Sequence, residues 1–369
     1  FAANAWREPV PFDYEDTFGM AITGDATYAW LSTGNGVWRS PLIAAEIDVS
    51  ADVLELAADI RRDGGRVRVV LRNDDGRYND LSTGAAAAIR LGAELAVSPG
   101  YLTTAGEEVS AGERYWLDGW EYASAGGEAT LTLFASDGWT LLRGWRARRQ
   151  YAWAAASLTV GQILQFVLGQ AGIELVDIGG SAVITSHQPA FTIHPGDDGR
   201  RTVERLLAMT PDILRLAAEF AYLFEPLATD SAGYDYGTDH RIFSARYATN
   251  GLAANRAQVF GNGVLAEDFA WDEVGDLLDR LRQVQDLNVT SVALAVDRAA
   301  ATLRQETLAS ERGELIVPAN CGQELYDVVA VTDPRVGFVA ARFRVAGITM
   351  RYRRRGSAMY EQRLRLSKV

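Results

Sequence analysis

Three histidines, one cysteine and one lysine set narrow limits on the chemistry open to this chain of 369 residues. His187, His194 and His240 include no pair at the i, i+4 spacing by which one helix face presents two imidazoles to zinc, so they read as loop residues. Cys321 stands alone, which excludes an intrachain disulfide and a thiolate metal cluster. Lys368 is the sole lysine, whereas Walker-type phosphate binding and Schiff-base chemistry both need one. The stretch Asn73–Asp80 (NDDGRYND) has the acidity of a calcium loop without its ligand spacing or distal bidentate glutamate, and reads as a tight turn. Asp118 and Glu121 are the carboxylates that a glycosidase would place across a cleft, yet on a strand they point to opposite faces. Neither a G-x-S-x-G elbow nor a G-x-G-x-x-G loop is present. The expectation is a chain with no catalytic residue, no metal site and no cofactor.

Two clusters remain. Trp116, Trp120, Trp139, Trp145 and Trp153 would suit a sugar-stacking platform, and equally a barrel core or a subunit interface. Arg351 and Arg353–Arg355 fall at a hairpin tip, where they would meet phosphate, an acidic partner or solvent. A net charge of -12 disfavours broad nucleic-acid binding, which needs a basic surface. No apolar run is long enough to span a membrane. No signal peptide is visible, and a start at Phe1 without Met reads as a trimmed fragment.

The elements that must position these side chains are mostly strands. Arg66–Arg72 alternates charged and apolar residues as a half-buried strand does, and runs into the turn Asn73–Gly76. Ile89, Leu91, Ala93, Leu95 and Val97 share one face of a second strand. Further strands are expected at Ala44–Val49, Leu54–Ile60, Arg114–Tyr122 and Glu128–Ser136, a pattern that reads as a barrel or sandwich. After Trp139 the character changes. Thr159 and Gln162 form a capping box that opens a helix to near Gly169. A second helical stretch starts near Thr202, is interrupted at Thr210-Pro-Asp212, and would set Leu206, Met209, Ile213, Leu216, Phe220 and Phe224 toward a core. Tyr234–Tyr247 reads as a hairpin. Ser291–Leu308 is the clearest helix, with Val292, Val296, Ala299 and Leu303 on its apolar stripe and Asp297, Arg304 and Glu306 outside. Pro318 ends the strand after it.

One pattern is written twice. Gly92-Ala-Glu-Leu95, Arg114-Tyr-Trp-Leu-Asp-Gly119 and Leu131-Thr-Leu133 are matched by Gly322-Gln-Glu-Leu325, Arg342-Phe-Arg-Val-Ala-Gly347 and Leu364-Arg-Leu366. Behind Val345 the apolar positions switch parity to Ile348, Met350 and Tyr352, as a bulge at Ala346-Gly347 would make them, and Gly119 offers the same bend in the first copy. Two related β-modules in one chain follow, with Arg114 expected to superpose on Arg342.

The order barrel, helix-containing insert, helix plus barrel resembles the tail hub proteins of long-tailed phages and related contractile injection systems. The residues that carry the resemblance are LRNDDGRYND (71–80), SLTVGQILQFVLGQAGI (157–173), TVERLLAMTPDILRLAAEFAYLFEP (202–226) and GQELYDVVAVTD (322–333). It implies a β-rich α+β fold of two tube-type antiparallel β-barrel modules, residues 1–148 and 251–369, with a mixed α/β domain at 149–250 between them. It further implies a non-enzymatic virion structural protein, assembled in the host cytoplasm as a homotrimer whose six barrels match a six-fold tail tube to a three-fold tip. The implied partners are a tail tube or distal tail protein, spike or fibre proteins and the tape-measure protein, with DNA only as passing cargo along an acidic lumen. A carbohydrate-binding or receptor-binding tail-tip module is the alternative expectation.

Overall fold

A computed structural model describes residues 21–24, 28–33, 36–41, 47–83, 85–217, 220–276 and 278–369. Strands β1 (Ala21–Gly24), β2 (Tyr28–Thr33) and β3 (Gly36–Pro41) form an antiparallel sheet with β2 at its centre. The first module follows: β4 (Val53–Arg61), β5 (Arg66–Arg72), β6 (Glu94–Val97), the small hairpin β7 (Gly100–Thr103) and β8 (Gly106–Val109), then β9 (Glu113–Ala125) and β10 (Glu128–Ser136). Its sheet order is β4-β5-β10-β9-β6, antiparallel throughout. Alternation along β5 sends Val67, Val69 and Leu71 into a core with Tyr115, Leu117, Leu131 and Leu133, and its arginines outward. The strand expected from Ile89 begins only at Glu94, because Gly92 adopts a left-handed φ of 74° that breaks the extended run. Of the strand expected at Ala44–Val49, residues 44–46 lie outside the described residues and Ile47–Val49 is not in a strand.

The middle segment opens with α1 (Gly138–Gly144) and continues through β11 (Tyr151–Trp153), α2 (Val160–Gln170), β12 (Glu174–Gly179), α3 (Ala182–Ser186), β13 (Phe191–Ile193), α4 (Gly199–Leu207), β14 (Ile213–Ala217) and β15 (Phe220–Phe224). Thr159 and Gln162 cap α2 reciprocally, at 3.2 Å and 2.9 Å, as the sequence predicts. The helix expected beyond Pro211 is instead the antiparallel pair β14–β15, with β12 added in parallel on the outer side of β15. Buried Asp212 accepts the Ser181 N–H at 2.6 Å and the Ser181 hydroxyl at 2.7 Å, which ties the chain down just before β14.

Asp137 caps α1 by accepting the Trp139 N–H at 3.1 Å and also accepts the Gly65 N–H, linking α1 to the β4–β5 turn. Burial pushes its carboxyl up to about 6, against the two N–H bonds and nearby Arg143 and Arg200, which pull it down. With the folded-state value above the unfolded one, the group contributes stability at low pH that is lost as pH rises between about 4 and 6. Compared with Asp137→Asn, the wild type should therefore weaken across that window and run parallel above it. Urea titrations of the two proteins from pH 4 to 8 measure this, and parallel curves throughout would refute it.

The second module comprises β16 (Tyr234–Tyr236), β17 (Ser244–Tyr247), an insert of β18 (Arg256–Phe260), β19 (Leu265–Phe269), α5 (Trp271–Asp276), β20 (Leu281–Gln285) and α6 (Val292–Ala309), then β21 (Gly313–Pro318), β22 (Val328–Asp333), β23 (Phe338–Arg353) and β24 (Met359–Ser367). The hairpin expected at Tyr234–Tyr247 does not form. β16 runs parallel to β22 and β17 antiparallel to β21, partners far along the chain. Both strands precede residue 251 and pair with strands of the second module. Helix α6 stands where expected, capped by Ser291, but Ala295, Ala299 and Leu303 form its contact stripe with Ala257 and Val259, while Val292 and Val296 are exposed. Small alanines let the helix lie close on the insert's sheet. Glu306, expected outside, is buried and pairs with Arg282.

Candidate functional site: a strand joint between two repeats

Residues that sequence reasoning considered for chemistry do not converge. The carbonyl of buried His187 accepts the Val160 N–H at 3.0 Å, and burial holds its imidazole below the ordinary value. The His240 ring lies between the Tyr234 hydroxyl at 3.0 Å and the Pro318 carbonyl at 2.9 Å. No group of histidine, cysteine or acidic side chains suited to a metal occurs among the described residues. In the Asn73–Asp80 turn, Asp74 accepts the Ala129 N–H, Asp75 the Arg77 N–H, and Asp80 both Ser82 and Thr83. Each carboxylate is engaged locally, and none aims at a common point. Asp118 accepts from Ser136, and Glu121 is exposed. The tryptophans do not share one face: Trp139, Trp145 and Trp153 pack into the middle segment's core, and Trp120 is exposed on β9.

Backbone register defines the repeat better than spelling does. In β9 the pairing with β10 slips between Leu117 and Gly119, and in β23 the pairing with β24 slips between Val345 and Gly347. Each bulge thus sits immediately before the glycine of the R-x-x-x-x-G run, and Arg114 and Arg342 occupy equivalent positions on the two strands. Outward from the bulge, Leu133 and Leu364 face Val69 and Leu315, and Ser136 and Ser367 face Trp116 and Arg344. The L-x-L match is displaced by two residues, since Leu364 and Leu366 correspond to Leu133 and Ala135. The G-x-E-L match is displaced by four. Gly92 donates to the Leu117 carbonyl at 2.8 Å and Leu117 to the Ala93 carbonyl at 2.9 Å; Tyr326 donates to Val345 at 2.8 Å and Val345 to Asp327 at 2.9 Å. Gly92 and Tyr326 share a left-handed φ of 74° and 72°. Tyrosine tolerates this in the second copy because its side chain is buried with Ile213 and Phe224, anchoring the middle segment to the sheet.

The five strands β4, β5, β6, β9 and β10 are thereby matched in chain order and sheet order by β17, β21, β22, β23 and β24. The two sets are fused into one sheet, β17-β21-β24-β23-β4-β5-β10-β9-β6, with β22 on β23 and β16 on β22. No pairing among the described residues closes it. The joint is β4 against the distal half of β23, antiparallel from Gly347↔Arg61 to Arg353↔Glu55. Thr349 donates to Asp59 at 2.9 Å, the Arg354 N–H to the Leu54 carbonyl at 2.8 Å, and the Arg354 side chain to the Ala51 carbonyl at 3.1 Å. Arg355 reaches Asp74 and Glu128. The basic hairpin tip read from the sequence therefore finds its acidic partner inside the same chain. Above it, Tyr101 of the β7–β8 hairpin donates to the Ala319 carbonyl at 2.6 Å and packs on Tyr360, with ring centroids 5.1 Å apart.

No family model matches the chain, and no curated protein matches it. Solved structures do. The prophage MuSo2 43 kDa tail protein from Shewanella oneidensis aligns at a TM-score of 0.57 and 13% identity, over 95% of this chain and 97% of that one. The tail protein from Neisseria meningitidis MC58 aligns at 0.62 and 12%, over 86% and 92%. The E. coli c3393 protein, a type VI secretion component similar in structure to the T4 bacteriophage tail proteins gp27 and gp5, aligns at 0.53 and 14%, over 95% and 77%. Two repeats joined edge to edge around a mixed segment give this chain the fold of phage tail proteins and of a type VI secretion tail-like protein.

Proposed function

We propose that the chain is a non-enzymatic structural hub of a phage tail or tail-like particle. Three copies form a ring of six similar modules, stacked between a six-fold tail tube or distal tail protein and a three-fold spike or fibre assembly. The central channel passes DNA or the tape-measure protein. One observation carries the reading: a single chain holds the same order of five strands twice, with the bulge before Gly119 repeated before Gly347, so that three chains present six related units. The shared strand order of the two modules suits the six-fold side, and their differences, such as the insert between β17 and β21, suit the three-fold side. The engagement of Asp74, Asp75, Asp80 and Asp118 in local bonds supports a structural role rather than a catalytic one. The acidic balance suits a wall along which DNA slides without adhering.

The test is the mass of the assembled species in solution combined with negative-stain images. A trimer with three-fold symmetry and a central hole is expected. A strict monomer at every concentration overturns the reading.

A further inference from the structure

The joint between the two modules uses one edge of each, and the equivalent edges on the other side are left over. In the second copy β4 covers the distal half of β23, where Ile348 and Met350 are 1% and 7% exposed. The matching positions in the first copy are Trp120 and Tyr122 on β9, and they are 36% and 44% exposed. On that side β9 pairs with β6 only from Glu113 to Trp116, so Gly119–Ala125 has no strand partner there among the described residues. At the opposite end of the sheet stands β17, the counterpart of β4, which among the described residues pairs with β21 alone. A strand edge and a strand-sized gap of matching type thus sit toward the two ends of one sheet.

We infer that β17 of one copy adds to the distal half of β9 in the next copy, reproducing between chains the β4–β23 joint within the chain. This deepens the hub reading and rests on it. Register follows from equivalence. Through β21 and β24, Glu55, Leu56, Ala57 and Ala58 correspond to Ser244, Ala245, Arg246 and Tyr247. Through the bulge, Met350, Arg351, Tyr352 and Arg353 correspond to Tyr122, Ala123, Ser124 and Ala125. Since Ala58 faces Met350 and Glu55 faces Arg353, Tyr247 faces Tyr122, Arg246 faces Ala123, Ala245 faces Ser124 and Ser244 faces Ala125. The pairing sets two tyrosines opposite each other on the apolar face and Arg246 diagonal to Glu121 on the other, both favourable cross-strand arrangements. The contact is head-to-tail, so each copy uses a different edge on either side and a ring closes when the rotation permits. The occupant is a second copy of this chain, because the internal joint already demonstrates that this strand type fits this gap.

The register is directly testable by disulfide trapping in full-length protein carrying Cys321→Ala. Ala123→Cys with Arg246→Cys places two thiols on directly opposed residues, within the span a disulfide bridges; Ala123→Cys with Ser244→Cys places them two residues out of register. Mild oxidation is expected to give covalent trimer in about tenfold excess for the matched pair over the displaced pair. Trp120→Ser, which removes a ring 36% exposed in the single chain, is expected to weaken trimer formation about tenfold, beyond what its lowering of the dissociated protein's thermal melt accounts for. A trimer by mass whose matched cysteines fail to cross-link, or cross-link no better than the displaced pair, overturns the proposed edge and leaves the hub reading standing. A monomer by mass overturns both.

Discussion

Replacing Arg344 by alanine should lower the free energy of unfolding by about 3 kcal/mol. The side chain is 2% exposed and donates to the Tyr326 carbonyl at 2.9 Å, the Leu227 carbonyl at 2.9 Å and the Asp230 carboxylate at 2.8 Å. Removing it takes the donor from the Tyr326 carbonyl, on a residue 4% exposed, and leaves the Leu227 carbonyl and the Asp230 carboxylate with only the Asp230 and Leu227 N–H groups. Desolvated acceptors without a donor cost more than the net value of the bonds they lost. Asp230 is a third exposed, so Asp230→Ala alone should cost about 1 kcal/mol, because water replaces part of what is lost. Lysine offers one donor site where the guanidinium spans three acceptors, so Arg344→Lys should recover little. Urea denaturation of the three variants measures these values, and a loss below about 1 kcal/mol for Arg344→Ala would overturn the account.

Gly313→Ala should be comparably severe, about 3 kcal/mol, and its damage should be confined to one edge. Gly313 has a φ of +143°, and a Cβ there would sit 2.3 Å from the Arg246 carbonyl oxygen and 3.0 Å from the Tyr247 Cα. The backbone must move or β17 must leave β21. The first copy holds Val67 at the equivalent place, and its positive φ falls on Gly64 in the turn before β5; in the second copy the chain arrives from α6 and the positive φ falls on Gly313 itself. Hydrogen exchange should therefore accelerate at residues 244–247 far more than at β24. Uniform acceleration would mean a global effect and would contradict the local account.

The comparison of sequence with structure explains where pattern reading succeeds. The R-x-x-x-x-G run was legible because a bulge needs a particular backbone, so its glycine marks geometry directly, and Arg114 and Arg342 follow. The G-x-E-L match misled because those letters encode no conformation; the conformation they seemed to mark is held by Gly92 in one copy and by buried Tyr326 in the other. Ile213–Phe224 reads as a helix because two short adjoining strands with mixed burial imitate a spacing of three and four. The roles of β16 and β17 were illegible, since their partners lie 66 to 95 residues downstream and the intervening insert hides the relation. Arg355 was visible as a charge, but Asp74 and Glu128 become its neighbours only once β4 meets β23.

That meeting has a temporal side. Thr349 and Asp59 are 290 residues apart in the chain, so β4 leaves the ribosome long before the strand that covers it. At ordinary rates of translation the delay is roughly 15 to 60 s, far longer than a sheet takes to form. Through that interval the first module carries a bare β4 edge, and the β23 of any neighbouring nascent chain fits it as well as its own. Polysomes crowded with copies of this message would thus favour strand exchange between chains, and the rate at which ribosomes deliver residues 62 to 346 sets how long that hazard lasts.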